Sequence, residues 1–210
     1  MTATRSSRAV RSGLAIAILA GVLAVLQPWT VVPIETTNPP TFNADDYIES
    51  IWHARVVPTA RTSAVDLQAF MQKTALGGRA PGPPGRAAFV KGTATVVEID
   101  RGSRVGLARL RLAWAPRGHT VAIQIGPVVR GTALRDALDF IRFTDFVNQL
   151  EFATVANALN ERVLTDVLGP ANVDGLAGRE VAFVGAVPAS EAGSALQIVP
   201  VELQVVGEVP

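Results

Sequence analysis

The chain has 210 residues, a formal net charge of +1 and no cysteine. A charge so near neutral builds no field that would gather nucleic acid or acidic partners. The missing thiols exclude disulfides, thiolate metal sites, cysteine nucleophiles and a lipid-bearing N-terminal Cys.

Arg5, Arg8 and Arg11 precede an uncharged apolar run over residues 13–34. A helix of about 20 residues spans a bilayer core, so the run is long enough to cross one. The arginines place residues 1–12 in the cytoplasm and everything beyond Glu35 outside. A cleaved signal peptide is the competing reading. Its apolar core is shorter and is followed by small residues at the cut, and no clean Ala-x-Ala site precedes Trp29. The pattern therefore predicts an uncleaved single-pass signal anchor. Residues 35–42, polar and carrying Pro39 and Pro40, read as a short stalk.

Residues 43–80 read as a helical subdomain. Asn43 is an N-cap residue, followed by Asp45 and Asp46 where the helix dipole favours acids. Tyr47, Ile48, Ile51, Trp52 and Arg55 keep helical spacing as far as Pro58. Ser63 is expected to open a second helix that carries Leu67, Phe70, Met71 and Leu76 and ends at Gly77-Gly78. Two such short amphipathic helices must pair and lean on another layer.

The glycine- and proline-rich stretch over residues 77–87 marks a boundary, after which the hydrophobic period changes. Phe89–Ile99, Val105–Trp114 and Thr120–Ile125 read as three strands, with Arg109 and Arg111 alternating against Ala108 and Leu110. A long helix is expected from about Asp145 to Leu168, capped by Thr144 and stopped by Gly169-Pro170. Glu180–Val187 and Ala195–Val206 complete five strands. Three strands, a helix and two strands is the order of an oligonucleotide/oligosaccharide-binding (OB) barrel. The expected fold is thus α+β, a small helical subdomain plus an OB-like five-stranded barrel over 86–210. Apolar residues run nearly all round the long helix, which predicts contacts on several sides. Its carboxamides Asn148, Gln149, Asn157 and Asn160 are poor interior helix residues, so each calls for a tertiary hydrogen bond.

The segment Gln124 to Val163, QIGPVVRGTALRDALDFIRFTDFVNQLEFATVANALNERV, resembles the signature block of a bacterial family of predicted periplasmic lipoproteins of unknown function. The VVPI of Val31 to Ile34, Tyr47-Ile48 through Trp52, Phe89-Val90-Lys91-Gly92 and Ile198-Val199-Pro200-Val201 fit the same pattern. The resemblance covers nearly all of the exported region. It implies helices joined to an OB-like barrel, and genes commonly beside sugar-type ABC transporters with periplasmic binding proteins. Lipidated members have a Cys just before the VPI, where this chain has Trp29-Thr30. Anchoring is therefore expected from the apolar helix. The family carries no established catalytic residues, so no mechanism comes with it.

Chemistry is sparse. His53 and His119 lie in different segments without an acidic partner at ligand spacing, so no metal is expected. There is no G-x-S-x-G, no P-loop, and nothing to single out a catalytic carboxylate pair among eighteen acids. No enzyme activity and no cofactor are expected. Nucleic-acid binding would need stacking aromatics and a basic groove, whereas the strands offer Phe89, Trp114 and Phe183.

The densest polar stretch is GPVVRGTALRDALDFIRF, Gly126 to Phe143. In one reading Arg130, Arg135 and Arg142 pair with Asp136, Asp139, Asp145 and Glu151 to hold the crossover. In the other, Arg130, Arg135, Asn148, Gln149 and Asn157 present a polar pocket to a sugar or carboxylate. The function is correspondingly read in two ways. One is a membrane-anchored, non-enzymatic accessory of a sugar-type ABC transporter or its periplasmic binding protein. The other is an extracytoplasmic small-ligand binding or sensing module. A cavity between barrel and helices would favour the second.

Overall fold

The computed structural model describes residues 42–75, 86–115, 119–188 and 195–207. The basic N-terminus, the apolar run 13–34, the stalk before Phe42 and residues 76–85 lie outside the described residues. Among the described residues, no helix is long and apolar enough to cross a membrane.

Helix α1, Ala44–Ile51, starts as its sequence requires. The Asn43 side chain accepts the backbone N–H groups of Asp45 and Asp46, and Ile48 and Ile51 turn inward. The helix does not stop at Pro58. It widens into a π-helical turn, Trp52–Val56, and continues as α2, Val57–Ser63. Proline lacks an N–H and its ring crowds the preceding turn. Here Pro58 falls at the very start of α2, and the wide turn, in which Val57 N–H reaches the Trp52 carbonyl, supplies the room.

Ser63 does not open the next helix. Ala64 is extended, and Val65–Asp66 form a two-residue strand, β1. The Asp66 carboxylate instead accepts the Ala69 N–H at 3.1 Å, capping α3, Leu67–Ala75.

Five strands close a barrel: β2 (Ala88–Asp100), β3 (Leu107–Arg111), β4 (Thr120–Gln124), β5 (Glu180–Val187) and β6 (Ala195–Val205). β2 pairs antiparallel with β3, β3 antiparallel with β4, and β4 parallel with β6. β6 then pairs antiparallel with β5, and β5 closes onto β2. The long β2 serves both neighbours. Ala88 to Thr95 face β5, Thr95 to Asp100 face β3, and the register shifts between Val96 and Glu98. Such a bulge bends one strand around a barrel corner. On β3, Ala108 and Leu110 are buried while Arg109 and Arg111 point away, as the alternation requires. β1 adds to the barrel's flank, parallel to Val90 and Lys91.

The chain leaves β4 at a close backbone contact. The Gly126 N–H donates to the Val105 carbonyl at 2.6 Å. A Cβ on Gly126 would lie 2.2 Å from that oxygen, and one on Gly106 would lie 2.9 Å from the Gly126 Cα. Only glycine fits there.

The crossover holds a short helix α4, Ala133–Ala137, and a single 3₁₀ turn, Phe143–Asp145. The long helix α5 begins at Gln149, later than expected. Thr144 is not its cap. Phe146 is extended, and the Asn148 side chain accepts the Glu151 N–H at 2.9 Å while the Glu151 carboxylate accepts the Val147 N–H at 3.1 Å. That is reciprocal satisfaction of the orphan donors at a helix start. α5 runs to Arg162 and ends in a π-helical turn, Val163–Leu168, before Gly169-Pro170. As the all-round apolar pattern requires, it touches α1 and α4, and its π-helical end reaches β6.

Ile48, Trp52, Leu67, Val90, Leu134, Leu159 and Ile198 belong to one buried cluster that runs from the helices into the barrel. Fully burying a side chain of this kind contributes about 1.5–3 kcal/mol. Residues Phe42–Pro210 form one compact unit.

Candidate functional site

The crossover residues do not assemble a pocket. The Arg130 side chain is exposed, and so are Asn148, Gln149 and Asn157. Asn148 is the α5 cap described above. Arg135 does not pair with Asp139, four residues on. It grips the adjacent Asp136 at 2.7 and 2.9 Å, donates to the Phe152 carbonyl at 3.1 Å, and lies 3.8 Å over the Phe152 ring. Arg142 donates its side chain to the Asp139 carbonyl, and its backbone N–H to the Asp145 carboxylate.

Two other carboxamides tie the crossover down, both through its backbone. Gln124, buried at the end of β4, accepts the Arg130 N–H at 2.8 Å. Asn160, buried on α5, donates to the Gly131 carbonyl at 3.0 Å. Arg86 completes the clamp, its guanidinium capping the carbonyls of Asp136 and Leu138 at the end of α4.

The concavity lies elsewhere. A cleft of about 630 Å³ opens between the helices and the barrel. One wall is the widened helix, with Trp52, His53, Val57 and Arg61. His53, Val57 and Arg61 recur every four residues, which aligns them along one helical face. The opposite wall is β6 from Val201 to Val205, and the end is closed by Asp166, Val167 and the loop from Pro170 to Arg179. The floor is apolar: Trp52, Leu176, Val201 and Leu203 are buried.

The rim is charged but internally compensated. Arg61 Nε donates to Glu202 Oε1 at 2.8 Å, across the cleft from α2 to β6. The Arg61 guanidinium pKa is raised by that hydrogen bond and by the carboxylate's charge. His53 Nε2 stands 3.5 Å from Asp166, which also takes Arg162 Nε at 2.8 Å. Arg162 extends the network to Glu49 on α1. Burial disfavours its charge, but the hydrogen bonds it donates to Glu49 and Asp166 prevail and raise its pKa.

None of Arg130, Arg135, Asn148, Gln149 and Asn157 lines this cleft. The sequence did not bring His53, Arg61, Asp166 and Glu202 together because they come from three segments far apart along the chain. The four-residue spacing of His53, Val57 and Arg61 was the one local signal, and Pro58 hid it. Among the described residues, no group of three or more His, Asp or Glu side chains is placed to hold a metal ion.

No curated protein matches the chain. The structure is similar to the crystal structure of an OB-fold protein from Thermotoga maritima, with a TM-score of 0.60 at 16% identity. That similarity covers 78% of this chain and 98% of the other, and it establishes the barrel as an OB fold. A family model described as predicted periplasmic lipoprotein (DUF2291) matches residues 15–204. The likeness carried by the crossover and the first turn of α1 therefore extends over almost the whole sequence, and the chain belongs to this family of predicted periplasmic, membrane-associated lipoproteins.

Proposed function

We propose that the protein is a membrane-anchored, extracytoplasmic, non-enzymatic module that binds a small uncharged polar ligand of the sugar kind. Anchoring is assigned to the apolar run 13–34 as a single-pass helix, because the chain has no cysteine to lipidate. The observation that carries the proposal is the cleft between the helical wall and β6. Its volume of about 630 Å³ falls in the range of small-molecule sites, roughly 300–1,000 Å³.

The rim argues for the ligand class. Arg61 is neutralised by Glu202, and Asp166 is neutralised by Arg162, so no net charge invites a strong ion. Donors and acceptors of both kinds surround an apolar floor, as hydroxyl-bearing ligands with apolar ring faces require. The two carboxylates of the lining, Asp166 and Glu202, which could serve as nucleophile or acid–base pair, are each held by an arginine. That supports binding rather than turnover.

The test is a thermal-shift panel of monosaccharides, disaccharides and sugar acids on the full chain in detergent. A ligand at a hundredfold over its Kd should raise the melting temperature by about 5–10 °C. Glu202→Gln, which unpairs the rim without changing its shape, should abolish that shift. A flat panel, together with a transporter subunit or a periplasmic binding protein copurifying from native membranes, would replace this reading with the accessory role that the family resemblance implies.

A further inference from the structure

Between the 3₁₀ turn and the first turn of α5, three large apolar side chains point into solvent. Phe143 is 53% exposed, Val147 89% and Leu150 74%. Among the described residues, the other exposed large apolar side chains are the dispersed Val97 and Val206, both less exposed than these three. The exposure is not looseness. The backbone carrying these residues is pinned by the Asp145 carboxylate on the Arg142 N–H, and by the reciprocal Asn148 and Glu151 caps. The fold holds the apolar groups outward.

A chain of rings ties this tip to the place where the N-terminal segment enters. Phe143 packs on Phe152 at 5.6 Å, Phe152 on Phe146 at 5.6 Å, and Phe146 on Phe42 at 5.4 Å. Tyr47 joins Phe42 and Phe146, and its burial raises the phenol pKa. Phe42 follows the last residue of the apolar run, Ile34, by eight positions. Fully extended, those residues reach at most about 30 Å.

We propose that Phe143, Val147 and Leu150 seat in the interfacial region of the bilayer on the extracytoplasmic face, holding the barrel at a fixed attitude to the membrane. The proposal rests on the reading that residues 13–34 anchor the chain. A bilayer suits the tip better than a second copy does. Three side chains offer a few hundred Å² at most, short of the roughly 800 Å² per partner in a stable dimer. Interfacial insertion needs only about 5–10 Å of depth and an apolar, aromatic-bearing surface.

The absence of cysteine makes a single-label experiment direct. The full chain carrying Val147→Cys, labelled with an environment-sensitive fluorophore, is reconstituted in phosphatidylethanolamine/phosphatidylglycerol vesicles containing nitroxide-labelled lipid. Parallel samples carry Val97→Cys or Val206→Cys. Quenching at position 147 should exceed that at both controls by about fivefold, as expected for a group within the interface. Adding Phe143→Ser and Leu150→Ser should remove that excess, with a thermal melt near the parent's showing that loss of the Phe143–Phe152 contact leaves the fold in place. Equal quenching at the three positions, or self-quenching at 147 that reports a second copy, overturns the proposal. Protection of 147 by a copurifying protein overturns it too. Vesicle flotation after carbonate washing reads the anchor separately: a chain that stays in the membrane without quenching at 147 retains its anchor and refutes the docking.

Discussion

The Asn160 side chain donates to the Gly131 carbonyl at 3.0 Å, closing a contact between residues 29 apart in sequence. One residue earlier, the Arg130 N–H is held by Gln124. The crossover is thus fixed by two buried carboxamides acting on the backbone of consecutive residues, and the Arg130 side chain has no part in it. Asn160→Leu and Gln124→Leu should each destabilise the protein by about 1–3 kcal/mol, the usual consequence of leaving a buried polar group unpaired. In a domain of this size that is a fall in Tm of about 2–12 °C. Arg130→Ala, Asn157→Ala and Gln149→Ala should stay within about 0.5 kcal/mol of the parent. Thermal melts of the five variants decide it; a large loss for Arg130→Ala would reinstate the side-chain tie.

That outcome shows what a linear reading can carry. Strand order and the alternating faces of β3 were legible, because period two is local and barrel burial obeys it. The start of α5 was not. Thr144 and Asn148 are both good cap residues, and the choice fell to Phe146, which stays extended to meet Phe42 and Tyr47 from far away in sequence. The four carboxamides of α5 look alike in sequence. Only packing against the crossover distinguishes Asn160, which is buried, from Asn157, which faces water. The cleft was illegible for the same reason, since its walls are brought together by the closure of the barrel.

Gly185 stands at the register shift between β5 and β6. A Cβ there would lie 2.4 Å from Ile198 Cγ2 and 2.6 Å from the Val199 carbonyl oxygen. The second of these is backbone and cannot step aside. Overpacking costs about 1–3 kcal/mol where side chains can move, so Gly185→Ala should reach or exceed the top of that range. Urea denaturation should show a lower midpoint, and soluble expression should fall. A variant that unfolds like the parent would mean the bulge can slide.

Asp100 supplies a pH signature. Its carboxylate accepts the Gly102 N–H at 2.9 Å and Arg109 Nη2 at 2.8 Å, and these bonds hold its pKa below the ordinary value. A depressed carboxyl contributes stability above its unfolded pKa, near 3.9, and loses it as pH falls toward the folded value. Asp100→Asn should therefore melt below the parent at pH 7, and the gap should narrow as pH falls below about 4. Melts at pH 7, 5, 4 and 3 test this. A gap that is constant or widens on acidification refutes the assignment.

Arg162 joins three elements: it takes Glu49 from α1 and Asp166 from the π-helical end of α5, while Asp166 also faces His53 across the cleft. Its side chain is only 21% exposed, so the contacts are partly sheltered from solvent ions. Removing the cation leaves two carboxylates facing each other, one of them on the cleft wall. Hydrogen bonds to charged groups are worth about 1.5–3 kcal/mol where sheltered, and exposed pairs about 1 kcal/mol or less. Arg162→Met should therefore cost about 1–3 kcal/mol in low salt. The double variant with Glu49→Gln should recover part of that loss, because the orphaned acid on α1 is gone. The non-additivity of such a cycle isolates the pair. Raising salt to about 0.5 M, where screening acts within a few ångströms, should shrink the Glu49 coupling, since that carboxylate is exposed, more than the coupling to Asp166. Additive losses in the cycle, with no salt dependence, would show that Arg162 acts by packing its aliphatic stem rather than by joining these charges.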